Sequence, residues 1–173
     1  MKSLNRENIQ EFLKLLGKRY PKKTELHLLG GGALLLLGNS RSTLDIDYMG
    51  GDIQKDDFQV TIEEIASEFE LDIEPVPIAR FIPVPDGSND RNIHIGQFGN
   101  VDVYVFDPYS IALSKVDRGF DTDFDDIIFL IQHDYIDLTE LEKIVNKSIK
   151  HSREYDLHPE IIQHFEYLKS RLK

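Results

Sequence analysis

The sequence contains no cysteine, so neither a disulfide framework nor thiolate chemistry can contribute to this protein. It also lacks a long apolar run, because the longest candidate, residues 33–37, is far too short to cross a bilayer. The first five residues lack the apolar stretch of a signal peptide. These absences predict a cytoplasmic protein that does not bind membranes.

Basic residues are scarce, because 20 Lys and Arg stand against 31 Asp and Glu, which gives a formal charge of −11. Such a surface repels phosphate backbones at long range, so broad, sequence-independent binding to DNA is not expected. A local basic pocket for a nucleotide or an RNA end is compatible with this charge. Some of the acids are candidates for metal ligands.

Hydrophobic periodicity predicts a mixed α+β fold. Helices are predicted over residues 3–17, 33–37, 57–69, 109–118, 123–133, 139–148 and 159–172, and strands over 25–29, 44–49, 93–98 and 101–106. Gly17 is expected to stop the first helix, the proline-rich residues 71–85 to form extended chain with an edge strand, and Gly99-Asn100 to form a hairpin turn. The expected organisation is a core with a small mixed sheet and flanking helices over residues 1–107. A helical region over residues 108–173 is expected to pack on it in one compact unit.

The most informative stretch, residues 28–49, contains Asp45 and Asp47 on a predicted strand. Side chains alternate along a strand, so both carboxylates should lie on one face, with Leu44, Ile46 and Tyr48 on the other. Adjacent carboxylates repel each other, and a divalent cation between them removes that penalty. Hard oxygen ligands suit Mg²⁺, which also binds phosphate oxygens and water. An Asp-x-Asp pair alone also occurs on surface strands that bind nothing.

Three glycines, Gly30, Gly31 and Gly32, precede this pair, between a predicted strand and a predicted helix. Glycine permits positive φ angles and a close approach of backbone to phosphate, and a helix start offers free N–H groups. The turn is therefore predicted to hold phosphate, although a tight turn without a ligand has the same pattern. Arg41 offers a charged fork for phosphate oxygens, and structural pairing with a carboxylate is the alternative. Thr43 is expected to cap or order the turn, and a surface position is the alternative for both residues.

These motifs resemble the nucleotidyltransferase superfamily of the DNA polymerase β type, and within it the small bacterial branch of AbiEii-type toxins and minimal nucleotidyltransferases. The resemblance rests on residues 30–34, Gly38, Arg41, Thr43 and 45–47, and then on residues 107–108, Ala112, Lys115, Arg118, Asp123 and 125–127. It covers roughly residues 25–132. The Gly-Gly turn replaces the Gly-Ser turn of the wider superfamily, so the phosphate contact of that serine has no counterpart here.

The superfamily completes a two-metal site with a third carboxylate from a neighbouring strand. Asp102 matches this position, and we expect its strand beside residues 44–49, with the three carboxylates converging at one edge of the sheet. An acid among β-branched residues is unfavourable without a partner, and an exposed strand face is the alternative. Asp107 is the competitor, but Asp107-Pro108 also has the pattern of a helix N-cap followed by proline.

The resemblance implies that Lys115 reaches the triphosphate, and a solvated helix face is the alternative. Arg118, Asp123, Asp125 and Asp126 are expected either in an ion-pair network between two helices or in catalysis. The six histidines show no zinc-ligand spacing and are interpreted as structural or surface residues.

The resemblance thus implies a Mg²⁺-dependent enzyme that transfers a nucleoside monophosphate from a nucleoside triphosphate to an acceptor hydroxyl. The acceptor would be tRNA or another RNA, a protein or a small molecule, and the setting a toxin–antitoxin pair with a cognate protein partner. A catalytically inactive binding module for a partner protein is the alternative, and a metal-dependent hydrolase is a third option. The predicted metal ligands and catalytic residues are Asp45, Asp47 and Asp102, and the predicted nucleotide-binding residues are Gly30, Gly31, Gly32, Arg41, Thr43 and Lys115.

Overall fold

The computed structural model describes residues 3–173, which form a five-stranded mixed sheet and a set of helices. The strands are β1 (Thr24–Leu29), β2 (Asp45–Met49), β3 (Asp72–Val76), β4 (Ile93–Phe98) and β5 (Val101–Val105). The helices are α1 (Arg6–Arg19), α2 (Gly30–Leu36), α3 (Asp57–Glu68), α4 (Pro108–Arg118), α5 (Asp121–Gln132), α6 (Leu138–Ile149), α7 (Ser152–Tyr155) and α8 (Ile161–Arg171). This architecture confirms the predicted mixed α+β fold. Within residues 3–173, no helix combines the length and the apolar character that a membrane span requires.

The strand order is β3-β2-β1-β5-β4. β1 pairs in parallel with β5, and β2 in parallel with β3, whereas β1–β2 and β4–β5 are antiparallel. The hairpin predicted around Gly99-Asn100 and the edge strand predicted within residues 71–85 are confirmed. The prediction that β2 and β5 are neighbours is wrong, because β1 lies between them.

The chain divides into two compact units. The first contains the sheet and α1 to α3, and runs up to Pro77 and again over Asn92–Phe106. The second contains Ile78–Arg91 and Asp107–Lys173, with α4 to α8. The short segment Ile78–Arg91 therefore belongs with the C-terminal helices, although the whole sheet edge β4–β5 separates it from them in the sequence.

In the first unit, α1 packs through a buried apolar face against β4, α2 and α3. Its start is fixed by Asn5 and Asn8, whose side chains each accept the other's backbone N–H (3.0 and 3.1 Å). The predicted stop at Gly17 is wrong, because α1 continues to Arg19. A Cβ at Gly17 would collide with the Phe98 carbonyl oxygen. Gly17 therefore serves the close packing of α1 against the β4–β5 hairpin rather than ending the helix.

The second unit buries the apolar faces of its longer helices against one another. Its core comprises Ile111, Leu113, Val116, Phe124, Ile127, Leu130, Leu141, Val145, Phe165 and Leu168. α4 to α6 and α8 agree with the predicted helices to within two residues at each end, whereas α7 was not predicted.

Candidate functional site

The two carboxylates of β2 lie on the face of the sheet opposite its buried side. Along the strand Ile46 and Tyr48 are buried, and Asp45 and Asp47 between them are partly exposed. This alternation confirms that the two carboxylates share one face. Leu44, which was expected on the predicted strand with its side chain on the face of Ile46 and Tyr48, precedes the strand and is 53% exposed.

The glycine turn touches the second of these carboxylates. Gly30 has a φ of +61°, and a Cβ built on it would collide with an Asp47 carboxylate oxygen. Only glycine combines this backbone conformation with this close approach. All three glycines lie in the first turn of α2, whose N-cap residue Leu29 provides no side-chain cap. The turn and the acid pair therefore form one site.

Thr43 and Arg41 complete the surroundings of the acid pair. The Thr43 hydroxyl donates to Asp45 Oδ1 (3.1 Å), and the Thr43 backbone is held by two hydrogen bonds with Leu4 (2.7 and 3.2 Å). The Arg41 guanidinium reaches to 3.7 Å from the position that a Cβ on Gly31 would occupy. Thr43 thus orients Asp45, and Arg41 places a positive charge over the glycine turn; the roles of both residues in nucleotide binding stay predictions.

Asp102 lies on the same face of the sheet as the acid pair but does not converge with it. Its partner on β1 is Glu25, whereas the partner of Asp47 is Leu29, four residues further along the same strand. A strand rises about 3.3 Å per residue, so these positions are about 13 Å apart along the strand. Two metal ions in a shared site lie only about 3.5–4 Å apart. Asp102 instead hydrogen-bonds His94 (3.2 Å), which gives the strand acid the partner that it needs.

Two acids that the sequence analysis did not select lie beside the pair. β3 runs parallel to β2 with Asp72 opposite Asp45 and Glu74 opposite Asp47. Paired residues on neighbouring strands share a face and stand about 4.8 Å apart. The proline-rich residues 71–85 predicted an edge strand, but only the register shows that its acids extend the carboxylate face. Within residues 3–173, Asp45 and Asp47 do not belong to a group of three histidine or acidic side chains whose ligand atoms all lie within 4.8 Å of one another.

The family described as "Nucleotidyltransferase of unknown function (DUF6036)" has a model that matches residues 6–172. The chain belongs to this DUF6036 family. The match confirms the nucleotidyltransferase resemblance at the level of the family. No curated protein and no solved structure matches the chain.

In this DUF6036 protein Lys115 is buried in an ion-pair cluster of the second unit. Its side chain is 3% exposed, and its ammonium donates to Asp126 (2.8 Å) and Asp123 (3.2 Å). Arg118 adds a bond to Asp123 (2.5 Å). The predicted ion-pair network between two helices is therefore confirmed for Arg118, Asp123 and Asp126, with Lys115 as an additional member. Asp125 lies outside it and pairs with Arg171 (2.6 Å). The alternative of a solvated helix face at Lys115 is wrong, because its side chain is buried, and its contact with a triphosphate stays a prediction.

Asp107, the competitor of Asp102, is a buried N-cap in this DUF6036 protein. Its carboxylate accepts the backbone N–H groups of Tyr109 and Ser110 (3.2 Å each) at the start of α4. It also forms a bidentate pair with Arg91 (2.7 and 2.8 Å). These hydrogen bonds hold the pKa of the Arg91 guanidinium above its usual range. The N-cap interpretation of Asp107-Pro108 is confirmed. Both oxygens of the Asp107 carboxylate already accept hydrogen bonds that hold the start of α4 and Arg91 in place.

A cavity of about 640 Å³ also lies in the second unit, between residues 83–91 and α6. Its wall carries acids and bases that are already paired with each other, for example Lys147 with Asp86 (2.6 Å) and Lys143 with Glu140 (3.1 Å). The sequence contains no motif that marks this cavity, because its wall is assembled from residues as far apart in the chain as Pro83 and Tyr155.

Proposed function

We propose that this DUF6036 protein transfers a nucleoside monophosphate from a nucleoside triphosphate to an acceptor hydroxyl. The observation that carries the proposal is the contact between Gly30 and the Asp47 carboxylate. It joins an acid pair, whose oxygens suit Mg²⁺, to a glycine turn at a helix start, whose N–H groups suit phosphate. Membership of a nucleotidyltransferase family supports the same reaction class.

The donor set of the site fits Mg²⁺. Asp45 and Asp47 offer hard carboxylate oxygens on one exposed face, and Thr43 fixes the orientation of Asp45 through its 3.1 Å hydrogen bond. Mg²⁺ is commonly held by one or two carboxylates together with phosphate oxygens and water. When bound there, it would neutralise charge on the triphosphate and on the leaving group.

The residues of the chain would then position the reactants. The acceptor hydroxyl oxygen forms a bond to the α-phosphorus, the bond from that phosphorus to the β-phosphate oxygen breaks, and pyrophosphate leaves. Backbone N–H groups of residues 30–32 would bind the β- and γ-phosphates, and the Arg41 guanidinium above the turn would offset their charge. Lys115 is retained as a candidate triphosphate contact.

We further propose that Glu74, rather than Asp102, acts as the third acid and accepts the hydroxyl proton. Glu74 is exposed and is the register partner of Asp47, and a glutamate side chain can turn toward the pair. Glu74→Gln is expected to lower the transfer rate by about 10²–10⁴-fold, the usual contribution of a general base. Asp102→Asn, the matched control on the same face, is expected to change it less than about threefold. The reverse ranking of the two variants would restore Asp102 as the third acid.

The glycine turn provides a pair of variants with opposite expected effects. Gly30→Ala places a methyl group against the Asp47 carboxylate at a positive φ, so Mg²⁺-dependent binding of nucleoside triphosphate should weaken and the melting temperature should fall. In Gly32→Ala the new Cβ meets its nearest neighbours at an ordinary 3.6 Å, so binding should be kept. The free energy of unfolding of Gly32→Ala should rise by up to about 1 kcal/mol, because alanine favours helix. Titration of nucleotide and thermal melting measure both effects, and equal binding by both variants would argue against the turn as a phosphate site.

The acceptor and the biological setting are part of the same proposal. The class of acceptor can be identified by labelling a cell extract from nucleoside triphosphate and treating the labelled product with nuclease or with protease. Nuclease should degrade a labelled RNA and protease a labelled protein, whereas a labelled small molecule should resist both. A toxin–antitoxin role, which the resemblance to the AbiEii-type branch suggests, predicts that expression of the parent stops growth and that Asp45→Asn does not. If the protein were instead an inactive binding module, no acceptor would be labelled and partner binding would survive that substitution.

A further inference from the structure

A second group of candidate ligands lies at the start of α8, in the second unit. His158, Glu160 and His164 each offer one ligand atom, and these atoms lie within 4.8 Å of one another. Among residues 3–173, this is the one such group of three histidine or acidic side chains. Glu160, the N-cap residue of α8, and His164 are four positions apart, so they lie one turn apart on the same face of the helix. His158 lies in the loop just before the helix.

The least exposed member of the group, His164, is oriented as a metal ligand would be. Its Nδ1 donates to the Val116 carbonyl oxygen (2.8 Å), which leaves the lone pair on Nε2. A hydrogen bond of this kind to a backbone carbonyl fixes the tautomer and the ring orientation of most metal-binding histidines. The ring also packs directly against Gly119, the C-cap residue of α4, where a Cβ would collide with it. The position of the ring therefore depends on a glycine at the end of α4.

The other two members are exposed and only partly restrained. The backbone N–H of His158 donates to Asp117 Oδ1 (2.7 Å), which anchors the loop to α4. The His158 Nδ1 accepts the Glu160 backbone N–H (3.1 Å). That single neutral hydrogen bond is the contact that a metal ion would have to replace. The rings of His158 and His164 are neighbours, with centroids 4.7 Å apart.

From this geometry we propose that His158, Glu160 and His164 form a site for a divalent ion of the zinc class. Two imidazoles and one carboxylate suit Zn²⁺ and neighbouring transition metals, whereas Mg²⁺ prefers an all-oxygen set. Tetrahedral Zn²⁺ with ligands at about 2.0–2.1 Å brings its ligand atoms to about 3.3 Å from one another. The group must therefore contract by at most about 1.5 Å, which the exposed His158 and Glu160 side chains can provide. A bound ion would tie the start of α8 to the end of α4 through His164.

The test is titration of the tag-free, full-length chain with Zn²⁺, followed by calorimetry and by thermal melting. One ion per chain is expected, with a rise in melting temperature that chelator reverses. His158→Gln and Glu160→Gln, both at exposed positions, should weaken Zn²⁺ binding at least about tenfold. His151→Gln is the matched control, because His151 and Glu154 form an exposed pair (3.6 Å) outside the group. It should bind Zn²⁺ like the parent.

The site is independent of the nucleotide site, so Asp45→Asn should also bind Zn²⁺ like the parent. His164→Gln should lose the ion too, but its ring supports the fold, so the two exposed variants decide the matter. Unchanged Zn²⁺ affinity in both His158→Gln and Glu160→Gln, or an equal loss in His151→Gln, would overturn the proposal.

Discussion

Replacing Lys115 with methionine should lower the free energy of unfolding by about 3–5 kcal/mol. Methionine fills nearly the same space but removes the ammonium that stands between Asp123 and Asp126. Both carboxylates are buried, so the variant leaves negative charge in the core of the second unit with less compensation. Chemical denaturation at neutral pH measures the loss directly.

Arg118→Met is the matched control for this prediction. Arg118 bonds the same carboxylate, Asp123, but its side chain is 55% exposed. Exposed ion pairs contribute about 1 kcal/mol or less, so the loss of stability should be several times smaller. If Lys115→Met were as stable as Arg118→Met, the buried cluster would not be what holds α4 and α5 together. A folded Lys115→Arg protein that no longer binds nucleoside triphosphate would favour the additional phosphate role of Lys115.

The second large effect concerns the acid pair. Asp45→Asn and Asp47→Asn should each lower nucleotide transfer by at least about 10³-fold, because asparagine keeps the size of the side chain and removes the charge that would hold Mg²⁺. The fold should survive, because asparagine can still accept the Thr43 hydroxyl at position 45. Without metal, both variants should be as stable as the parent or slightly more so, since repulsion between neighbouring carboxylates is relieved.

Thermal melting separates a metal role of the pair from a structural one. Mg²⁺ should raise the melting temperature of the parent and leave that of either variant unchanged, since a ligand stabilises only the state that binds it. A variant that melts well below the metal-free parent would show instead that the acid pair is structural. Asp102→Asn should respond to Mg²⁺ like the parent, because its register position lies at the far end of β1.

The local parts of the site could be predicted from the sequence. The alternation of residues 44–49 placed Asp45 and Asp47 on one face, and the three glycines marked a strand-to-helix turn. Both are short-range patterns, set by the period of a strand and by the conformational freedom of glycine. The contact between Gly30 and Asp47, which joins them into one site, depends instead on the antiparallel register of β1 and β2, in which Leu29 is the partner of Asp47.

The long-range parts could not be predicted in this way. Alternation identifies a strand but not its partner, so nothing in residues 101–106 showed that β1 would separate β5 from β2. The position of Glu74 could not be predicted for the same reason. Its place beside Asp47 depends on the parallel register of β2 and β3. Burial of Lys115 depends on α5 packing against α4, which a single amphipathic helix pattern does not specify.

The most direct test of the account is transfer of label from nucleoside triphosphate in the presence of Mg²⁺ and cell extract. The parent should transfer label from the α-phosphate to an acceptor and release label in the γ-phosphate as pyrophosphate, and Asp47→Asn should do neither above background. Transfer of γ-phosphate label, release of nucleoside diphosphate without an acceptor product, or parent-level transfer by Asp47→Asn would contradict nucleotide transfer at this site.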